Sequence, residues 1–257
     1  MYRTYRPKTF GELIGQEEVV EVLRNAARGE RLAHAYLFYG SRGSGKTTTA
    51  RLVAKVANCT RRAGEAAFRE TGEPCNECVP CREIDEGRGL DVVEIDAASN
   101  RGIDEIRDLK EGIRLAPLHY RYKVFIIDEV HQLTKDAFNA LLKTLEEPPA
   151  HAIFILATTE FEKVPATIVS RTQRFNFRRL PIRQIVEKLS RIVEAEKVWR
   201  AVTQKEPDSP YAVRAADLLH PELPRGLPSF VASFSDPPGL AGLTPAGQLA
   251  ELRRRAE

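Results

Sequence analysis

The sequence predicts an α/β domain, a mainly parallel sheet covered by helices on both faces, and three observations carry that expectation. Four short apolar runs, Ala35 to Tyr39, Val92 to Ile95, Val124 to Ile127 and Ile153 to Ala157, recur between longer amphipathic stretches. Such alternation is the pattern of strands joined by helical crossovers. The first run is followed by Gly40-Ser41-Arg42-Gly43-Ser44-Gly45-Lys46-Thr47 and then by helical spacing from Thr47 through Ala57, so a glycine-rich loop joins a buried strand to a helix. The third is a clear helix from Asp136 to Glu147. Thr134 is its expected N-cap, Phe138, Leu141, Leu142 and Leu145 share one face, and Pro148-Pro149 end it.

At 257 residues the chain has room for a large domain with an appendage. Its 42% hydrophobic and 29% charged residues are those of an ordinary soluble protein. No run approaches the roughly 18 apolar residues of a membrane span, and the amino terminus lacks an apolar signal region, so no membrane contact and a cytoplasmic location are expected. The net charge is only +3, from 39 Lys and Arg against 36 Asp and Glu, so any contact with nucleic acid must come from a local surface. A further helix is expected from Ile182 to about Glu196, with Ile185, Leu189, Ile192 and Val193 inward. After about Lys197 the character changes: eight of the sixteen prolines lie between Pro207 and Pro245, and helical periodicity is lost.

The loop from Gly40 to Thr47 is a complete G-x-x-x-x-G-K-[ST] motif. Its glycines, with Ser41, Arg42 and Ser44, let main-chain N–H groups surround a triphosphate, Lys46 reaches the β and γ phosphates, and the Thr47 hydroxyl can ligate Mg²⁺. Thr48, in the first helical turn, belongs to the same nucleotide-contacting set. The run Val124 to Ile127 ends in Asp128-Glu129-Val130-His131, two carboxylates at the end of a buried strand. With a phosphate loop upstream, Asp128 is expected in the Mg²⁺ shell, while Glu129 orients and deprotonates the water attacking the γ-phosphate of ATP. His131 is assigned no catalytic role. Leu156-Ala157-Thr158-Thr159 ends the next strand in hydroxyls that a parallel sheet would set beside Asp128 and Glu129, where one could sense the γ-phosphate.

All four cysteines, Cys59, Cys75, Cys78 and Cys81, lie in one short segment. Two overlapping C-x-x-C pairs with a fourth sulfur suit tetrahedral Zn²⁺ in a closed structural site. Two disulfides or an iron–sulfur cluster are the alternatives. The stretch from Thr60 to Pro80 reads as a loop with little apolar content of its own. Arg171, in Val169-Ser170-Arg171-Thr172, could equally be an ordinary helix-end charge.

Taken together, Gly40 to Thr47, Asp128 to His131, the cysteine knuckle and Ser170-Arg171 resemble the gamma/tau subunit of bacterial DNA polymerase III, the ATP-driven motor of the sliding-clamp loader. Tyr5 to Phe10, Gly15-Gln16, Glu94 to Ser99 and Asn139 to Pro149 are similar to blocks of the same family, and the likeness covers residues 1–196. It implies an AAA+ P-loop NTPase fold: an ATPase domain over 1–178 with a zinc insertion at 59–81, then the start of a helical lid at 179–197. It implies that the stretch from Tyr2 to Gln16, Arg6 included, and Val19 flank the adenine, that Thr159 rather than Thr158 is the first sensor, and that Arg171 is an arginine finger completing the ATP site of a neighbouring subunit. Thr172 replaces the cysteine usual after that arginine. The implied function is ATP hydrolysis coupled to loading the clamp onto primed DNA, with the other loader subunits, the sliding clamp and the DNA backbone as partners. Ser99-Asn100-Arg101-Gly102, with Arg101 or Arg107, is where DNA contact is expected, and Lys143 could couple DNA to Glu129. Nothing resembles nucleotidyl-transfer machinery, and no further helicase block accompanies Asp128-Glu129-Val130-His131.

The stretch 198–257 departs from that pattern. Neither the lid block carrying the family's second sensor arginine nor the collar that holds the ring is visible in it. A reading-frame change, a truncation or a divergent copy would each give this result. The alternative to a motor is therefore a nucleotide- and zinc-binding module that neither assembles nor turns over.

Overall fold

Five strands run parallel in one sheet: β1 (Ala35–Gly40), β2 (Val92–Asp96), β3 (Lys123–Asp128), β4 (Ala152–Thr158) and β5 (Gln173–Phe177). Their spatial order is β2-β3-β4-β1-β5. The computed structural model describes residues 6–99, 112–190 and 193, and the sheet with its helices lies within the unit Pro7–Leu180. Among the described residues the α-helices of that unit include α1 (Glu17–Arg28), α2 (Lys46–Asn58), α3 (Thr60–Gly64), α4 (Ala66–Arg69), α5 (Val79–Glu86), α6 (Lys135–Glu146) and α7 (Ala166–Val169). The chain from Pro181 belongs to a second unit, of which helix α8 is described over 182–190.

Strand alternation divides the interior into two layers. Tyr36 and Phe38, Val124 and Ile126, and Ile153, Ile155 and Ala157 face α1, α2 and α5. Ala35 and Leu37, Phe125 and Ile127, and Ala152, Phe154 and Leu156 face α6 and α7. Burial on both faces explains why β1, β3 and β4 read as continuous apolar runs. Each buried Phe or Ile in these layers contributes roughly 1.5–3 kcal/mol relative to an exposed one. α1 turns Val19, Leu23 and Ala27 inward at helical spacing, and α6 starts where expected, with the Thr134 hydroxyl accepting from Ala137 N–H at 3.2 Å.

β5 is the strand the sequence does not announce. Its residues alternate, with Phe175 and Phe177 buried and Gln173, Arg174 and Asn176 exposed, because it is an edge strand covered on one face only. The stretch after Cys59, expected as a loop, instead contains α3 and α4. Its anchors are buried polar groups rather than apolar ones. The Arg62 guanidinium donates to Val56 O, Ala27 O and Arg69 O, while Glu73 accepts from Phe10 N–H at 2.7 Å and Gly11 N–H at 3.0 Å beside Arg24. Fully buried Lys55 ties α2 to α5 through Asp85 at 2.8 Å. In α8 the apolar stripe is present, but Ile185, Leu189 and Val193 are exposed rather than inward; Ile192 lies outside the described residues.

β1 and β5 meet at their ends, where Gly40 pairs with Phe177. Gly40 has φ +146°, and a Cβ there would stand 2.1 Å from the Phe177 carbonyl oxygen. Gly40→Ala therefore combines a backbone conformation unfavourable to side chains with a clash against main chain, and is expected to lose about 2–6 kcal/mol of stability, read from the urea midpoint.

Candidate nucleotide site

All five strands run the same way, so their carboxyl ends open on one edge, and the chain's phosphate-loop and acidic residues converge there. The loop leaves β1 at Gly40 and enters α2 at Lys46. Gly43 and Gly45 take φ +77° and +100°, backbone that turns N–H groups toward the loop's concave side. Ser41, Arg42 and Gly43 are exposed at the crest, and Ser44 is buried with its hydroxyl on Ser41 O at 2.8 Å. The Lys46 ammonium folds over the loop and donates to Gly40 O and Ser41 O, each at 2.9 Å. Burial lowers its pKa, and the Glu129 and Asp128 carboxylates act against that shift. Thr47 and Thr48 follow in the first turn of α2, half-buried.

The Thr47 hydroxyl donates to Asp128 Oδ2 at 2.8 Å, and the other Asp128 oxygen accepts from Glu129 N–H at 3.0 Å. A hydroxyl and a carboxylate within bonding distance at a phosphate loop are hard oxygen donors that fit Mg²⁺. Glu129 adopts the left-handed conformation, φ 49° and ψ 44°, uncommon for a residue with a side chain. Its Oε2 accepts from Thr159 Oγ1 at 2.9 Å and from Thr159 N–H at 3.2 Å. β3 and β4 are neighbours, so the acid and the threonine meet as their order in the sequence implied.

Gln16, which the resemblance set among the residues flanking the adenine, also touches the phosphate loop itself. It is buried, and its amide donates to Ser44 O at 3.3 Å and Arg178 O at 2.7 Å and accepts from Arg178 N–H at 3.1 Å. One side chain thereby pins the phosphate loop to the chain leaving β5. Gln16 and Val19 line a cavity of about 90 Å³ with Asn176 and Arg178. Tyr2, Asn100, Arg101 and Arg107 lie outside the described residues, and Arg6 falls in the other unit.

Arg171 is at the opposite edge of the sheet. It precedes β5, whose Gln173 pairs with Tyr36 near the start of β1, whereas the phosphate loop follows the end of that six-residue strand. The separation is about 20 Å along the strand, beyond the reach of one side chain. There Arg171 donates to Glu146 Oε1 and Thr167 O, both at 2.8 Å. With His34, Leu145 and Pro148 it lines a cleft of about 620 Å³.

The four cysteines gather with their sulfur atoms within 4.8 Å of one another. Cys59 follows the end of α2 and Cys78 precedes α5. Between Cys75 and Cys78 the chain turns through Asn76 at φ +61°, and Cys78 N–H points at Cys75 Sγ, 3.3 Å away. Hydrogen bonding from Cys81 pulls the Cys59 thiol down to about 4, while the same contact and burial push Cys81 up. Four sulfurs at this spacing, one of them readily a thiolate, fit a soft tetrahedral dication.

A phosphate loop after β1, an Asp-Glu pair after β3, a threonine after β4 and the order β2-β3-β4-β1-β5 together define a P-loop NTPase of the AAA+ class. The chain belongs to the family described as DNA polymerase III, delta subunit, whose model matches residues 15–181. It is 52% identical over 198 residues to the DNA polymerase III subunit tau of Bacillus subtilis, covering 77% of this chain and 34% of the relative. Against that of Escherichia coli the identity is 47% over 196 residues, covering 76% and 29%. The gamma/tau subunit of Mycoplasma pneumoniae is 38% identical over 238 residues, 92% of this chain and 33% of the relative. That last alignment is too long for the first 197 residues and therefore runs into the proline-rich stretch. The chain spans about a third of the length of these relatives. Among the described residues no helix is long and apolar enough to cross a membrane.

Proposed function

We propose that this chain is the ATP-hydrolysing gamma/tau-type subunit of a bacterial DNA polymerase III clamp loader. It would couple ATP binding and hydrolysis to loading the sliding clamp onto primed DNA. The observation that carries the reading is Glu129: a carboxylate at the end of a buried strand, held by two bonds from Thr159 beside the Thr47–Asp128 pair.

In this reading the loop N–H groups from Ser41 to Thr48 and the Lys46 ammonium hold the β and γ phosphates, so Lys46 leaves the carbonyls it now binds. Thr47 and Asp128 would hold Mg²⁺, whose charge would offset that developing on the phosphates. Glu129 accepts a hydrogen bond from the attacking water, orients it in line and takes its proton. Thr159 holds Glu129 and, once a γ-phosphate is present, can turn its hydroxyl to it. Val19 and Gln16 would line the base side. Because Arg171 stands at the far edge of its own sheet, it would serve the nucleotide of an adjoining subunit, which makes the active site a property of a ring. Cys59, Cys75, Cys78 and Cys81 would hold one Zn²⁺, which ties α2 to α5. Ser99 to Gly102, with Arg101 and Arg107, would meet the DNA backbone, and Lys143, exposed on α6, would relay that contact.

Three outcomes test the reading. Glu129→Gln is expected to keep nucleotide affinity while steady-state hydrolysis with companion subunits and primed DNA falls on the order of 10²–10⁴-fold. Arg171→Ala is expected to leave ATP binding by the isolated chain unchanged and to lower the assembled turnover by at least about 10³-fold; equal turnover in assembled wild type and variant would remove the arginine from the chemistry. Metal analysis is expected to find one zinc per chain, lost in Cys75→Ser with a lower melting temperature; a metal-free wild type would end the zinc assignment.

A further inference from the structure

His131 has no part in the proposed chemistry, yet its side chain is almost fully buried, 3% exposed, against the site. Its Nδ1 lies 2.9 Å from Thr158 Oγ1 and 3.4 Å from Glu129 Oε2, and its Nε2 lies 3.0 Å from Glu160 Oε1 and 2.8 Å from the Gln132 amide. Glu160 is paired with Lys163 at 2.7 Å. A threonine hydroxyl can donate or accept, so the Nδ1–Thr158 contact is available to the ring in either tautomer. Thr158 Oγ1 also accepts from Glu160 N–H at 3.0 Å, which joins His131 to the chain leaving β4. Two parallel ties therefore cross from the end of β3 to the end of β4: Thr159 to Glu129, and Thr158 to His131.

We infer that His131 is a positioning residue for hydrolysis, acting through its Nδ1–Thr158 bond to fix the end of β4, and with it Thr159, at the distance that holds Glu129. The inference rests on the hydrolytic role proposed for Glu129. The physical case is one of geometry. Glu129 sits in a left-handed conformation that neighbouring structure must hold in place, and the pairing of β3 with β4 stops at Ile127 and Leu156, so past that point side-chain contacts tie the two chains. His131 touches both, Thr158 at 2.9 Å and Glu129 at 3.4 Å. A base displaced by a fraction of an ångström loses its line to the attacking water while phosphate binding, made by the loop and α2, is untouched.

The test separates the two ring nitrogens. Asn can offer an oxygen near the Nδ1 position, and Gln can reach toward the Nε2 position. In the full-length chain, His131→Ala is expected to lower kcat for ATP about tenfold, with KM and nucleotide affinity within about twofold of wild type on the same basis. His131→Asn is expected to recover most of the rate and His131→Gln little of it. Thr158→Val is expected to match His131→Ala, and the double variant to add nothing. Recovery by Gln and not Asn would overturn the inference in favour of a tie to Glu160, and wild-type rates in all three histidine variants would overturn it outright. Additive losses in the double variant would do the same. The Asn and Gln comparison stands even if the alanine variant fails to fold. A wild-type chain with no hydrolysis in any assembly would remove the reading of Glu129 and this inference with it. A Glu129→Gln defect alongside silent His131 variants would remove this inference alone.

Discussion

Because the strands are parallel, and β1, β3 and β4 are buried on both faces, the ends of those three must open on the same edge, and the rest of the molecule follows from that constraint. Gly40, Asp128 and Thr158 are the last residues of three adjacent strands, so the phosphate loop, the acid pair and the threonine are set side by side without any loop having to travel. The sheet's hydrogen-bonded register keeps them there. The same constraint sends the starts of the strands to the other edge, where Arg171 lies. Arg171 is thereby set apart from the phosphate loop of its own chain.

The cysteine segment solves a different problem. It carries little apolar surface, so it cannot dock by burying hydrophobic area. It is held instead by charged groups driven inward and fully engaged: Arg62 on three carbonyls, Glu73 on two N–H groups and Arg24, Lys55 on Asp85 and Lys8 O. Buried charges of this kind cost much unless every partner is present. They tie this part of the chain to Lys8, Phe10 and Gly11, on the approach to α1 and Gln16.

The elements legible in the sequence were those whose physics is local. Buried strands β1, β3 and β4 announced themselves as apolar runs, α6 by its cap and its face, and the phosphate loop by its glycines. β5 escaped because three of its five residues face solvent, and its strand character comes from pairing with β1. The α3 and α4 turns escaped because short helices held by Arg62 carry no apolar period. The clamp made by Gln16 and the contacts of His131 escaped for a related reason: a lone amide or imidazole has no spacing to betray its partners, which lie far along the chain, Arg178 for the first and Thr158 for the second.

By itself, the sequence determined the class of chemistry. A complete phosphate loop, an Asp-Glu pair after a buried strand and four clustered cysteines are commitments of residue type and spacing that hold in any packing that preserves strand and helix. Only the tertiary structure decided which hydroxyl holds Glu129, that a single glutamine clamps the phosphate loop to β5, and that Arg171 faces away from its own site. Those are matters of register and strand order, which depend on contacts between residues far apart in the chain and so leave no trace in local pattern.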